Sequence, residues 1–290
     1  MSFILTLVAA RAATTLDAGT VNRVRDAVRG GVPAMLSPGE AVDIPCPAAP
    51  DLPAVRAAIG EAAIDAIPIP AGNRRKRLLI ADMDSTIVTG ETLDELAAYA
   101  GLKERIAAIT RRSMNGEIDF ADALRLRVSL LKGLKLEALE ATWATTRITP
   151  GARELVATMR AHGAVTALVS GGFTWFTGRV AAQLGFDVHH ANRLLDDGHA
   201  LTGAVAEPIL DRDAKCATLH ALTAEHRLHP DETLAVGDGA NDLAMIREAG
   251  LGVAYHAKPI VAGEARARID HADLRALLFL QGYPAATFST

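Results

Sequence analysis

Leu78-Leu79-Ile80-Ala81-Asp82-Met83-Asp84-Ser85-Thr86 carries four apolar residues straight into two carboxylates set two positions apart. The apolar run reads as a buried strand. Side chains two apart on an extended segment point the same way, so Asp82 and Asp84 share one cavity while Met83 faces away. Like charges that close cost free energy unless a cation lies between them or one stays protonated. Phosphoryl chemistry uses both conditions. One carboxylate attacks phosphorus, the other protonates the leaving oxygen and then takes a proton from water, and a divalent ion offsets the charge. In that reading Asp82 is the nucleophile and Asp84 the proton donor and general base. The plainer alternative is a capping or turn pair at the end of a strand.

Two further apolar runs end in polar groups. Val165 to Val169 leads into Ser170-Gly171-Gly172, and Thr233 to Val236 leads into Gly237-Asp238-Gly239-Ala240-Asn241-Asp242. Ser170 and the N–H groups of Gly171 and Gly172 lie where a strand passes into the helix predicted from Phe173 to Leu184. A helix N-terminus attracts anions, and glycine lets the backbone come close; a simple strand-to-helix turn would use the same residues. Asp238 faces the same opening as Asp82 and completes an oxygen-rich shell of the kind that suits magnesium. Asn241 and Asp242 are also in place to cap the helix that continues through Leu243, Ala244, Met245 and Ile246. Lys215, in Asp213-Ala214-Lys215, lies between these segments; solvation on a helix surface is the commoner fate of lysine.

Taken in order, these four segments resemble the four motifs of the haloacid dehalogenase superfamily of phosphohydrolases. The resemblance covers about residues 75 to 256. It implies that the Ser170 hydroxyl, a backbone N–H at Gly171 and the Lys215 ammonium hold phosphate. It also implies that Asp82, Asp238 and a backbone carbonyl near Asp84 hold Mg2+. Asn241 is then expected to contact substrate and Asp242 to support the lysine and the metal shell.

Strands at 78–82, 165–169, 233–236 and 251–255 alternate with helical patterns, which predicts an α/β fold: a doubly wound, Rossmann-like parallel sheet covered on both faces. The active groups fall at the carboxyl ends of its strands, where open α/β sheets bind ligands. About eighty residues separate Asp84 from the second strand, too many for a crossover and too patterned for a loop. Glu91 to about Ile148 reads as helical, an inserted cap that excludes water and chooses substrates. Within it Phe120, Leu124, Arg127 and Leu131 recur at helical spacing, which sets a lone cation on an apolar stripe. A buried arginine usually has a partner, while a snorkelling one keeps its head in water. Glu91 alone reads as an acid favoured by the helix dipole. Together the two supply a carboxylate for an ammonium and a guanidinium fork for a carboxylate, the complement of a zwitterionic amino acid.

The cap segments Val88-Thr89-Gly90-Glu91-Thr92-Leu93-Asp94-Glu95 and Met114 through Phe120 to Arg127-Val128-Ser129-Leu130-Leu131 are similar to those of the phosphoserine phosphatase family. There Met114 and Phe120 supply the apolar wall. The resemblance implies Mg2+-dependent hydrolysis of O-phospho-L-serine to L-serine and phosphate through an aspartyl phosphate, the last step of serine biosynthesis. Two alternatives stay open at this level. One is another small phosphomonoesterase or phosphotransferase of the same superfamily, and the other is an amino-acid-sensing binding protein whose active part is N-terminal.

Residues 1–74 read as a separate small α+β domain ahead of a phosphatase domain at 75–290. A strand is predicted from Phe3 to Val8, a helix from Thr20 to Val28, an extended segment around Ala41 to Ile44 and a helix from Leu52 to Ile64. Pro68-Ile69-Pro70-Ala71-Gly72 then breaks the pattern. The alternation resembles the ferredoxin-like regulatory domains that precede some such phosphatases and bind amino acids; a docking or homodimerisation domain without a ligand is the equal alternative. A chain of 290 residues, 50% of them hydrophobic, builds one large or two smaller cores. A net charge of −4 argues against a general nucleic-acid binder. Arg74-Arg75-Lys76-Arg77 reads as a solvated lead-in to a strand rather than a targeting signal. Cys46 and Cys216 form neither a zinc pattern nor a disulfide framework, which suits a reducing, cytoplasmic setting. No apolar run approaches the length of a membrane span, and the start of the chain lacks the basic residue of a signal peptide. The expected partner is a small-molecule substrate, with neither nucleic acid nor membrane.

Overall fold

The computed structural model describes residues 2–114 and 117–290, apart from the side chains of Met114 and Arg212. Its first sheet contains β1 (Phe3–Ala9), β2 (Ala34–Ser37), β3 (Ala41–Cys46) and β4 (Ile64–Pro70), with α1 (Ala18–Ala27) and α2 (Leu52–Ile59) on the connections. The strand order is β2-β3-β1-β4 with antiparallel pairings, the β-α-β-β-α-β arrangement of a ferredoxin-like sheet. The Asp17 carboxylate accepts from Thr20 N at 2.8 Å and starts α1. Two expectations are corrected here. The helix predicted to run to Ile64 stops at Ile59, because Gly60 takes a left-handed φ of 72°. Ile64 instead opens β4, which includes Pro68 and Pro70. As the edge strand, β4 needs no N–H on its outer side and so accommodates both prolines.

The second sheet begins with β5 (Leu78–Ala81), whose four residues are all 0% exposed. A turn, Met83–Ile87, leads into the cap helices α3 (Thr92–Tyr99), α4 (Lys103–Met114), α5 (Phe120–Ser129) and α6 (Glu137–Thr145); α7 (Ala152–Ala161) then returns to β6 (Val165–Phe173). There follow α8 (Thr174–Leu184), β7 (Val188–Asn192), a hairpin of β8 (Leu194–Asp196) and β9 (Leu201–Val205), and α9 (Arg212–Glu225). The chain closes with β10 (Thr233–Gly237), α10 (Leu243–Glu248), β11 (Leu251–Tyr255), α11 (Pro259–Glu264), β12 (Ala267–Ile269) and α12 (Ala276–Leu280). The order β12-β11-β10-β5-β6-β7, parallel throughout, puts β5 between β10 and β6. The polar ends of all three strands therefore open on one crevice. β6 continues through Gly171 and Gly172 as extended chain, so its helix starts at Thr174, one residue later than the sequence suggests.

The cap leaves and re-enters the core through one paired neck. Val88 bridges Ile148, Thr89 N donates to Arg147 O (2.9 Å), and Thr149 N donates to Ile87 O (2.9 Å). The β8–β9 hairpin, which the sequence did not reveal, also reaches the cap: Gly133 N donates to Leu201 O and Leu201 N to Leu134 O, both at 2.8 Å. At its base the buried Asn192 amide donates to Gly171 O (3.0 Å) and to Leu210 O (3.3 Å) and accepts from Leu210 N (2.8 Å).

The two sheets share apolar contacts. Leu5, Leu7, Val24 and Val55 form a core beneath α1 and α2, whereas Val8, Ala41, Ile67 and Ile69 join the large cluster that holds Leu277 and Phe279. Arg74 ties the units together, pairing with Asp43 (2.6 Å) and donating to Leu280 O (3.0 Å). Arg275 also pairs with Glu40 at 2.8 Å. Among the described residues no helix is long and apolar enough to cross a membrane.

Candidate active site

Asp82 is fixed by the sheet on one side and by a lysine on the other. Its N–H donates to Val236 O on β10 (3.0 Å), and its carboxylate, 5% exposed, accepts through Oδ1 from Met83 N (2.8 Å) and from Lys215 Nζ (2.7 Å). Among the described residues no hydrogen bond falls on Oδ2, and the residue lines the crevice. Lys215, expected to be solvated if judged alone, is 2% exposed on α9 and also donates to Asp242 Oδ1 at 2.6 Å. Burial by itself would lower the ammonium pKa, but the Asp242 and Asp82 carboxylates outweigh it and hold the group charged. Asp242 Oδ2 accepts from Gly239 N (2.9 Å), so both of its oxygens are engaged. Gly237 has to be glycine here, because a Cβ would come within 2.3 Å of Asp242 Cγ.

Asp84 lies one step further, inside the Met83–Ile87 turn, where Ser85 takes φ 56°. Its Oδ1 accepts from Thr92 N at the start of α3 (3.0 Å), and Ser170 Oγ donates to its Oδ2 (3.4 Å). Burial and the nearby Glu91 charge push its pKa up to about 7. Ser170 Oγ also accepts from Gly172 N (2.9 Å), and a Cβ on Gly172 would come within 2.9 Å of Asp84 Oδ2.

Asp82, Asp238 and Asp242 bring carboxylate oxygens within 4.8 Å of one another. All three are buried. Burial and the Asp242 charge raise Asp82 well above the usual carboxylate range, and the same two causes bring Asp238 to about 6. Ionising this cluster in a low-dielectric crevice is costly without a cation, and the donors are all oxygens. Both facts fit a hard divalent ion such as magnesium. Asp242 is engaged on both oxygens, so Asp82, whose Lys215 bond falls on Oδ1, and Asp238, which Lys258 approaches only to 3.7 Å, are the carboxylates better placed to bind it.

A cavity of about 780 Å³ lies between these groups and the cap. Of the residues expected at the site from sequence, Asp82, Asp84, Glu91, Phe120, Arg127, Ser170, Gly171, Asp238 and Asn241 line it; Lys215 and Asp242 are buried behind its wall. The side chain of Met114 lies outside the described residues. Phe120 sits over Gly171, whose Cβ, if present, would come within 3.2 Å of its ring. Arg127, half-buried, donates to Ala123 O and Thr110 Oγ1 (3.3 Å each), and among the described residues no carboxylate comes within ion-pair distance. Burial lowers its pKa, with Asp94 and Glu91 acting against that. Glu91 is exposed and accepts from Ser85 Oγ (2.8 Å). Among the described residues the cavity thus offers a guanidinium with no carboxylate at ion-pair distance and, opposite in charge, a carboxylate that accepts from one side-chain hydroxyl.

Lys258, Thr110 and Asn192 were not found from sequence. Lys258 and Thr110 line the cavity, and Asn192 holds the Gly171 carbonyl. The one available signal was that Lys258 follows the apolar strand Leu251–Tyr255, at the same end of the sheet as the other polar groups.

The family model of haloacid dehalogenase-like hydrolases matches residues 79–247. The phosphoserine phosphatase of Archaeoglobus fulgidus is 41% identical over 75% of this chain, though the match spans only 63% of that protein. The phosphoserine phosphatase of Methanocaldococcus jannaschii is 42% identical over 71% of this chain and 97% of its own length. Among solved structures, the unliganded probable phosphoserine phosphatase of Vibrio cholerae superposes with a TM-score of 0.80 at 32% identity, covering 99% of this chain and 88% of that one.

Proposed function

The chain belongs to the haloacid dehalogenase-like hydrolases, and from that premise we propose that it hydrolyses O-phospho-L-serine to L-serine and phosphate through an aspartyl phosphate on Asp82. The observation that carries this reading is the pairing of two differently tuned carboxylates. Asp82 is oriented by Lys215, with Oδ2 unbonded, and Asp84 is poised near neutrality by burial and Glu91. Asp82 Oδ2 attacks phosphorus in line with the ester oxygen, the P–O ester bond breaks, and Asp84 gives its proton to the departing serine oxygen. Asp84, now a carboxylate, takes a proton from water, whose oxygen displaces Asp82 from phosphorus. Ser170 and the Gly171 N–H steady the phosphate, and Lys215 with Asp242 keeps Asp82 in place. Asp82 and Asp238 would hold Mg2+, which supplies positive charge between the nucleophile and the dianion.

The amino-acid end is read by the cap. Arg127, which among the described residues has no carboxylate at ion-pair distance, receives that of the substrate; Glu91 takes the ammonium; Phe120 packs on the methylene. This makes the substrate a small zwitterionic phosphomonoester, which suits a place at the end of serine biosynthesis. The N-terminal sheet, the cytoplasmic setting and assembly as a homodimer belong to the same proposal, with the first unit at 1–74 and the cap at about 91–148.

The test is the initial rate of phosphate release from O-phospho-L-serine and from a simple aryl phosphate, with magnesium and again with excess chelator. Fast, metal-dependent release favouring phosphoserine supports the reading. Metal-dependent release that favours the aryl phosphate overturns the substrate, and release that persists in chelator overturns the metal.

A further inference from the structure

Among the described side chains, the phosphate end of the cavity has little free positive charge. Lys215 spends two of its three protons on Asp82 and Asp242, and Arg127 belongs to the cap. The remaining lysine on the cavity wall is Lys258, with a side chain 45% exposed and its ammonium 3.7 Å from Asp238 Oδ2. Its backbone N–H donates to Asp238 O at 3.1 Å, which fixes its base to the same acidic loop.

The backbone that delivers Lys258 is held by β12, at the edge of the catalytic sheet, and by the segment after it, which the N-terminal sheet supports. Two residues earlier, His256 takes the left-handed φ of 42°, unfavourable for a residue with a Cβ. It is kept there by two bonds: its N–H to Ile269 O (2.8 Å) and its Nε2–H to Ala272 O (2.9 Å). The 270–272 segment that offers this carbonyl is gripped by Asp65 of β4. That carboxylate, 2% exposed, accepts from Asp270 N (2.9 Å), His271 N (3.1 Å) and Ala272 N (2.8 Å). None of these three side-chain bonds serves the pairing of β4 with β1, which is made by backbone groups. They make a rigid support for a loop on another sheet.

Resting on the reading of the site as a phosphate-binding one, we infer that Lys258 is a second phosphate-holding cation and that the N-terminal sheet sets its position, through Asp65, the 270–272 segment and His256. Asp65 and His256 are positioning residues; Lys258 touches the substrate's phosphate. This gives the N-terminal sheet a part in the site that needs no ligand of its own.

The probe is inorganic phosphate bound by the full chain in magnesium, followed by calorimetry, with magnesium affinity measured separately. Lys258→Met is expected to weaken phosphate binding about tenfold, the loss of one charge-assisted hydrogen bond, and Lys258→Arg to restore most of it. His256→Gly and Asp65→Asn are each expected to weaken phosphate about threefold with magnesium affinity unchanged. Glycine adopts φ 42° without strain, so His256→Gly removes the ring's bond while sparing the turn. Phosphate binding undiminished in Lys258→Met overturns the assignment, as does a change confined to magnesium affinity. Undiminished binding in both His256→Gly and Asp65→Asn overturns the link to the N-terminal sheet. Turnover of phosphoserine is followed in parallel. No turnover, with phosphate bound and weakened by Lys258→Met, sinks the proposed substrate and leaves this inference standing; an unaltered protein that binds no phosphate removes both.

Discussion

Burial and the Glu91 charge push the Asp84 pKa up to about 7, which suits one side chain to donate in the first half of the reaction and accept in the second. Asp82→Asn is expected to abolish phosphate release, since an amide nitrogen or carbonyl cannot replace the attacking carboxylate; near-normal turnover of that variant would falsify the covalent route. Arg127→Ala is expected to raise KM for phosphoserine about a hundredfold, the value of a paired, charge-assisted fork, while leaving hydrolysis of an aryl phosphate nearly as it was. Equal losses on both substrates would remove Arg127 from carboxylate recognition. Asp238 supplies a stability prediction. Its folded pKa of about 6 lies above the usual 3.8, so the fold favours the neutral acid. That contribution is fully present below about pH 4 and is lost as pH rises through 6. In metal-free protein, Asp238→Asn should therefore melt a few degrees above the unaltered chain at pH 8 and level with it at pH 4. A difference of the same size at both pH values would trace the effect to something other than ionisation.

At the scale of elements, the hairpin is the feature open to test. Gly203 on β9 has φ 81°, and a Cβ there would come within 2.8 Å of Lys132 Cβ and 3.3 Å of Ser129 O on the cap. Gly203→Ala should loosen the hairpin from the cap, raising KM for phosphoserine several-fold with a smaller fall in kcat; an unchanged KM would mean the hairpin does not steady the cap. The hairpin also marks where the sequence stops being legible. β5, β6, β10 and β11 announce themselves because both faces are buried, which makes an unbroken apolar run. β7, with the exposed His189 and His190, and the three-residue β12 take their form from neighbouring strands, and no local pattern records that. β4 was obscured by prolines that only its edge position explains. The same limit holds for side chains. Asp82, Asp84, Ser170 and Asp238 stand at strand ends in motifs of several residues, whereas Lys258, Thr110 and Asn192 gain their roles from partners 20 or so positions distant or from the cavity itself.

Across the whole molecule, the first sheet is covered on both faces, by α1 and α2 on one side and by the region of Leu277 and Phe279 on the other. Removing residues 2–72 uncovers that second face and discards Asp43, Glu40 and Asp65, each bonded to the larger unit. The shortened chain is expected to aggregate, read by gel filtration; a monodisperse, active remainder would show that the sheet is dispensable for folding. The neck at Val88 and Ile148 is one place where the cap meets the core, and the hairpin, bonded to the cap at Gly133 and Leu134 and rooted in the core at Asn192 and Leu210, is another. Two fixed points define a line. A body pinned along a line can swing but cannot lift or slide, so the cap should behave as a door on two hinges. Phosphoserine would then come in past the edge that lies away from that line.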